Sequence, residues 1–285
     1  MFDPYSSTDA PPNTQGDGAT NAVDAPDEQG VMPFLDHLEE LRWTLIKAMS
    51  GVLIAVIVCA FFSRWVIDTL LLGPTRSSFF MYRALGINAD SLELLNRTIT
   101  GQFFADIGTI IVVGLIAGSP VVVYYLWKFV EPALYAHEKS GLRFASVFAT
   151  FFFMLGISFG YLILTPLALQ FFAQYTISDT IVNQFDIMKY FSMVSVWALG
   201  TGLLFELPVV IYFLSKVGIV TPDLLRTYRK YALIVVLTIG AFLTPPDPIS
   251  QIIVALPLLL LYEGSIYISA YVNRKRRKEL DMTTE

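Results

Sequence analysis

The sequence predicts an all-α, polytopic membrane protein with six transmembrane helices and both termini in the cytoplasm, on the strength of composition, run length and charge placement. Of the 285 residues 55% are hydrophobic and only 15% charged, with a mean hydropathy of +0.60; soluble domains carry about a quarter charged residues. The apolar residues gather into separate runs near the ~20 residues a helix needs to cross hydrocarbon. Lys and Arg fall in alternate loops, which is how cytoplasmic segments are marked. A transmembrane barrel is excluded, because a stretch such as Ile110-Ile111-Val112-Val113-Gly114-Leu115-Ile116-Ala117 is apolar on every face where barrel strands alternate.

Residues 1–32 form an acidic tail. Asp3, Asp9, Asp17, Asp24, Asp27 and Glu28 occur there without one Lys or Arg, among many Pro, Gly, Ser, Thr and Asn residues. Such a segment buries little and is expected to be disordered. It lacks the basic start and apolar middle of a signal peptide, so the first span is expected to direct its own insertion. From Pro33, residues Phe34, Leu35, Leu38, Leu41 and Leu45 recur at helical spacing, with Asp36, Glu39 and Glu40 on other faces. The pattern predicts an amphipathic helix running directly into the first span. Pro33 suits its first turn, and the acids favour the positive end of its dipole.

Residues 33–271 hold the spans, expected at Leu45–Ile67, Ile107–Trp127, Phe144–Leu167, Phe191–Leu214, Tyr231–Leu243 and Ile249–Ala270. The fifth is too short to cross ~30 Å upright and is stopped by Pro245 and Pro246. It must thin the bilayer or shelter among neighbours. Residues 272–285 form a basic tail, including Arg274, Lys275, Arg276, Arg277 and Lys278. One side of the membrane receives that tail with Arg42, Lys47, Lys128, Lys139, Arg143, Lys216, Arg226, Arg229 and Lys230; the other receives Arg64, Arg76, Arg83, Arg97 and Lys189. The bias predicts that loops 68–106, 168–190 and 244–248 lie outside. No internal repeat of the kind common in secondary transporters is visible.

Cys59 is the sole cysteine, and His37 and His137 stand at no metal-binding spacing, so neither a disulfide nor a metal or other cofactor is expected. No nucleophile with a base and no phosphate-cradling glycine loop appears, and an enzyme is not expected. The basic tail reads as an anchor to anionic lipid, not as a nucleic-acid site.

Four places bear on function. The run His37-Leu38-Glu39-Glu40-Leu41-Arg42 sets carboxylates beside the membrane surface; the residues alone allow either a site for a cationic ligand or a solvated helix face, since exposed ion pairs contribute only ~0–1 kcal/mol. The loop from Phe129 to Lys139, with Pro132 and its aromatic residues, reads as an ordered segment that would hold Glu138 in place. Glu206 lies in the fourth span among Leu203, Leu204, Phe205, Leu207, Pro208 and Val209. A lipid-facing anion there would cost several kcal/mol, so it must face the bundle interior or water, or be protonated; a helix–helix hydrogen bond is the plainer alternative. Gly156 and Gly160, with Pro120, Pro166, Pro208 and Pro257, are assigned to close packing and kinks. Glu263 is assigned to snorkelling or a hydrogen bond.

Taken together, the run from His37 to Arg42, the segment Pro132-Ala-Leu-Tyr-Ala-His-Glu138-Lys139, Phe205-Glu206-Leu-Pro208 and Thr244-Pro-Pro-Asp247 resemble the TatC family in order and spacing, from Pro33 to about Tyr271. The resemblance implies a concave six-helix bundle in a prokaryotic plasma (inner) membrane. It also implies the receptor subunit of the twin-arginine translocase, which exports folded proteins using the proton gradient. It assigns twin-arginine signal-peptide binding to Glu40 and Glu138, with Leu38 and Arg42 beside them and Arg42 orienting the acids. Guanidinium offers a planar fork of donors that a carboxylate accepts bidentately, so two arginines call for two acids. Glu206 matches an intramembrane glutamate of the family, and Thr244 and Gln251 match positions that dock small single-span Tat subunits of the TatA and TatB type. Homo- and hetero-oligomers and membrane lipids are the other partners implied. The sequence departs from the family pattern at Thr44, where a basic residue is common, at Ala133, where glycine is, and in its longer acidic tail. Rival readings are a small-solute transporter using Glu206 as its charge carrier and a scaffold that recruits partner helices.

Overall fold

Helix α1 (Phe34–Phe61) is continuous from the expected amphipathic segment into the first span and ends at Phe61, before the expected end at Ile67. The computed structural model describes residues 34–134, 140–178, 180–243 and 248–283. The expected acidic tail, Glu138, His137 and Thr244 lie outside the described residues. Residues from Glu40 onward form one compact unit, and the segment ending at Glu39 is a separate one.

After α1 come a single turn, α2 (Ser63–Trp65), a π-wound segment at Val66–Leu71, a 3-10 turn at Gly73–Thr75 and the short helix α3 (Phe80–Leu85). Gly86, at φ 68°, ends α3 in the left-handed conformation that glycine adopts without a Cβ penalty. Strand β1 (Leu94–Leu95) leads into α4 (Gly101–Leu134). Then follow α5 (Ser140–Phe159), a π-wound segment at Gly160–Leu164, α6 (Thr165–Gln174), β2 (Phe185–Asp186), α7 (Ile187–Phe205) and α8 (Leu207–Val217). The small helix α9 (Pro222–Thr227), α10 (Arg229–Leu243) and α11 (Pro248–Thr283) complete the chain. β1 and β2 pair in parallel, Leu94 with Phe185 and Leu95 with Asp186, joining the loops that precede α4 and α7.

Five stretches among the described residues are long and apolar enough to cross a membrane: Leu38–Phe61, Gly101–Leu126, Ser146–Gln174, Ile187–Val217 and Gln251–Lys275. The remaining expected crossing, the fifth, is α10, with 15 residues, about 22 Å at 1.5 Å per residue. It falls short of the hydrocarbon thickness, as its length in the sequence foretold. The second span starts earlier than expected: α4 begins at Gly101, so Asp106 falls inside it.

Of the four prolines expected to interrupt spans, only Pro166 and Pro208 sit where the winding changes. Pro120 and Pro257 lie within continuous helices. At Pro120 the reason is visible: a proline leaves the carbonyl four residues back without its N–H, and Ser119 Oγ donates to that Ile116 carbonyl at 2.8 Å.

Close packing rests on small residues, as in membrane helix pairs generally. A Cβ on Gly156 would lie 2.5 Å from the Thr201 carbonyl oxygen, and one on Gly160 2.5 Å from that of Trp197. Both glycines let α5 and the turn after it press against α7. Thr201 Oγ1 donates across this seam to Gly156 O at 2.7 Å. Gly114 and Gly118 of α4 likewise meet the backbone of Val56 and Val52 in α1, at 2.6 and 2.9 Å from the built Cβ. The main apolar core joins Leu164, Ala168, Trp197, Phe205, Val236, Val254 and Leu258 from spans three to six.

Candidate functional site

The two ends of the bundle are built differently. At one end, three phenols tie the loop after α1 to the helices. Tyr82 donates to Pro74 O, Tyr161 to Leu70 O and Tyr190 to Leu71 O, all at 2.5–2.6 Å. Buried carbonyls outside a helix ladder need such donors, and aromatic residues with a hydroxyl supply apolar area and a bond together. At the opposite end, Tyr262 donates to Leu225 O at 2.8 Å, and Arg229 pairs with Glu263 at 2.9 Å across α10 and α11. Glu263 is therefore held by an ion pair, in line with the structural role expected of it. Ser215 and Ser269 share a buried hydrogen bond at 2.8 Å that joins α8 to α11.

The sequence-predicted site residues divide into engaged and unengaged groups. Leu38 is 44% exposed. Glu40 is half-buried, and its Oε2 is shut from solvent with no hydrogen-bond partner. Arg42 is exposed. Residues two apart on a helix face different directions, and among the described residues no ion pair joins Arg42 to Glu40. Glu138, the second acid expected to take part, lies outside the described residues.

Glu206 occupies the joint between α7 and α8. Pro208 cannot donate to Leu204 O, so the helix re-forms around Glu206: its N–H bonds to the carbonyls of Leu203 and Leu204, and its own carbonyl accepts from Val209 N and Val210 N, both at 3.0 Å. The ring of Phe205 beside it stacks on Phe159 at 5.6 Å. The side chain gains nothing from this framework, since Oε1 is buried without a partner. The helix–helix hydrogen bond offered as the plainer alternative is absent from that oxygen.

Gln251 is engaged. Its Nε2 donates to Leu237 O at 3.2 Å, bridging α11 to α10. Around it α10 and α11 leave Ile234, Phe242, Ile252 and Leu256 exposed. Thr244, its expected companion, lies outside the described residues.

The sequence reading passed over Asp106, whose Oδ1 is also buried without a partner. A carboxylate between Phe104-Ala105 and Ile107 was the available signal; it was missed because the span was started one residue later. Among the described residues no group of His, Cys, Asp and Glu could hold a metal ion.

The profile of the family described as Sec-independent protein translocase protein (TatC) matches residues 36–257. The chain is 36% identical over 263 residues to the Sec-independent protein translocase protein TatC of Blattabacterium sp. subsp. Periplaneta americana, covering 87% of this chain and 99% of that protein. It is 35% identical over 248 residues to the TatC of Aquifex aeolicus, covering 87% and 98%. A crystal structure of the twin-arginine translocase receptor TatC in DDM superposes with a TM-score of 0.68 at 35% identity, over 82% of this chain and 99% of that one. These likenesses span nearly the whole described bundle, and the helices agree with them: the chain belongs to the TatC family of Sec-independent protein translocase proteins, as a multi-pass membrane subunit of the Tat protein-transport system.

Proposed function

We propose that this subunit is the receptor for twin-arginine signal peptides of folded cargo, with both termini in the cytoplasm of a prokaryote and export driven by the proton gradient. The observation that carries the reading is Glu40 Oε2, a buried acceptor with no donor among the described residues, with Arg42 exposed two residues on. A buried carboxylate oxygen left unpaired is costly. An incoming guanidinium removes that cost with a fork of charged donors. Glu138 supplies the second carboxylate, and Leu38 the apolar contact beside it. Arg42 acts on the local potential, not through a bond to Glu40.

The lopsided distribution of Lys and Arg supports this orientation. Glu206 serves transport after capture, polarising the groove or receiving a partner helix. The exposed apolar faces of α10 and α11, with Thr244 and Gln251 at their junction, dock the single-span TatA- and TatB-type subunits.

Crosslinking from positions 40 and 138 to a membrane-bound precursor tests the receptor assignment, with the twin-arginine signal compared against its twin-lysine version. Crosslinks that require the arginine pair are expected. Replacing Glu40 or Glu138 by alanine is expected to weaken peptide binding about tenfold, since a charged hydrogen bond contributes roughly 1.5–3 kcal/mol. Unchanged binding with normal insertion would sink the receptor assignment.

A further inference from the structure

Where α4, α6 and α7 emerge at the tyrosine-capped end, a cavity of about 420 Å³ opens between the loops. Among the described residues its charged lining consists of Arg97, Lys189 and Asp186, a net charge of one positive unit, with Phe172 and Tyr190 among its aromatic lining.

Two acceptor groups in this lining, the Asp186 carboxylate and Gln184 Oε1, are committed. Asp186 caps α7, its Oδ1 accepting from Met188 N at 2.9 Å and Lys189 N at 3.2 Å, while Oδ2 accepts from Arg97 N at 3.4 Å. Gln184 Oε1 accepts from Arg97 Nη2 at 3.0 Å. Asn183 spends its Nδ2 on the last carbonyls of α6, those of Phe172, Ala173 and Tyr175. The donors are not committed: among the described residues, the other guanidinium N–H groups of Arg97 and the Lys189 ammonium have no hydrogen-bond acceptor. The cavity therefore presents donors and one net positive charge to whatever enters it.

The loop along its rim exposes four large apolar or aromatic side chains among the exposed Thr176, Ser178 and Thr180. Tyr175 is 58% exposed, Ile177 84%, Ile181 53% and Val182 78%. Four such side chains within eight residues belong at the depth where acyl chains begin, with Tyr175 at the headgroup boundary that aromatic residues favour. Donors suited to an anion, aromatic lining and exposed apolar side chains thus meet at one cavity.

We infer that this cavity binds the phosphodiester of a phospholipid headgroup. Arg97 and Lys189 hold the two non-bridging oxygens, and the exposed side chains of Tyr175, Ile177, Ile181 and Val182 lie against the acyl chains. Arginine suits the phosphate as a bidentate fork and lysine as a point charge. A free phosphate ion satisfies the donors but leaves the apolar rim uncovered.

Native mass spectrometry of the full-length protein in neutral detergent, titrated with phosphatidylglycerol, diacylglycerol or inorganic phosphate, tests the assignment. One tightly held phosphatidylglycerol is expected, with no comparable binding of diacylglycerol and no displacement by equimolar phosphate. The Arg97→Gln/Lys189→Gln double variant is expected to weaken that site at least tenfold. Arg97→Lys with Lys189→Arg, which keeps the charge, is expected to stay within about threefold. Binding unaffected by the double variant, or equal binding of diacylglycerol, overturns the inference. Displacement by inorganic phosphate assigns the cavity to a free anion and overturns the lipid.

Discussion

In span three, Pro166 follows five residues of π winding, and Thr165 Oγ1 returns a hydrogen bond to Gly160 O at 2.9 Å. In span four, Pro208 follows Glu206, whose backbone is satisfied by its neighbours while its Oε1 is buried with nothing to bond. The same imino acid thus produces two joints of different character. At the first, the Thr165 hydroxyl adds a second hydrogen bond to the Gly160 carbonyl that its own N–H already reaches, and the segment packs with Leu164 and Thr165 fully buried. At the second, the fold tolerates an unsatisfied group that apolar packing would not have required. A stitched joint is architecture, whereas an unstitched one is retained against a cost of about 1–3 kcal/mol, which makes it the place to look for function.

The comparison breaks most readily at the seam that both spans share. Gly160→Leu drives a side chain into the Trp197 carbonyl, backbone that cannot swing aside. The expected cost is more than about 3 kcal/mol, seen as loss of monodisperse protein after detergent extraction. Gly264→Ala, with nothing within 4 Å of the added Cβ, is expected to be neutral in the same assay. Glu206→Leu sharpens the contrast: removing the unpaired oxygen is expected to hold or raise thermal stability by about 1 kcal/mol while transport falls at least tenfold. A large destabilisation would show that the carboxyl has a structural partner and would erase the distinction between the two joints. Thr165→Val removes only the stitch, with an expected cost of about 1 kcal/mol in thermal unfolding and transport unchanged.

The smallest effect concerns the N-terminus of span four. The backbone N–H of Lys189, then those of Met188 and Arg97, hold the Asp186 carboxyl below the ordinary carboxylate range, with desolvation opposing them. A depressed folded-state pKa gives stability that is present above the ordinary carboxylate value and lost as the pH falls through the folded one. A slight drop in thermal stability on acidification below about pH 4 is expected, and Asp186→Asn, which still caps but does not titrate, is expected to remove that pH dependence.

The helical membrane class and five of the six expected spans were legible because hydrocarbon selects runs of apolar residues, a property local to each run. Boundaries were less so. The second span was expected from Ile107, yet α4 begins at Gly101 and carries Asp106 inside. Pro120 looked like a break because the hydroxyl that rescues its helix, Ser119, is read only once the Ile116 carbonyl is known to need it. The pairing of Leu94 with Phe185 was beyond reach, since two-residue strands 91 residues apart have no periodicity to detect. In the site, Glu206 stood out as a charge in an apolar run. What separates it from Glu263 is geometry: Arg229 reaches Glu263 at 2.9 Å, and the buried oxygen of Glu206 has no counterpart.

The phenols that cap one end of the bundle also set an order in time. The carbonyls of Leu70 and Leu71 leave the ribosome long before their donors, Tyr161 and Tyr190, which follow 91 and 119 residues later. At 5–20 residues per second the wait for Tyr190 is about 6–24 s. Until then the Leu71 carbonyl lacks its native donor, and the cap made by the three phenols is complete only once the start of the fourth span has been synthesised.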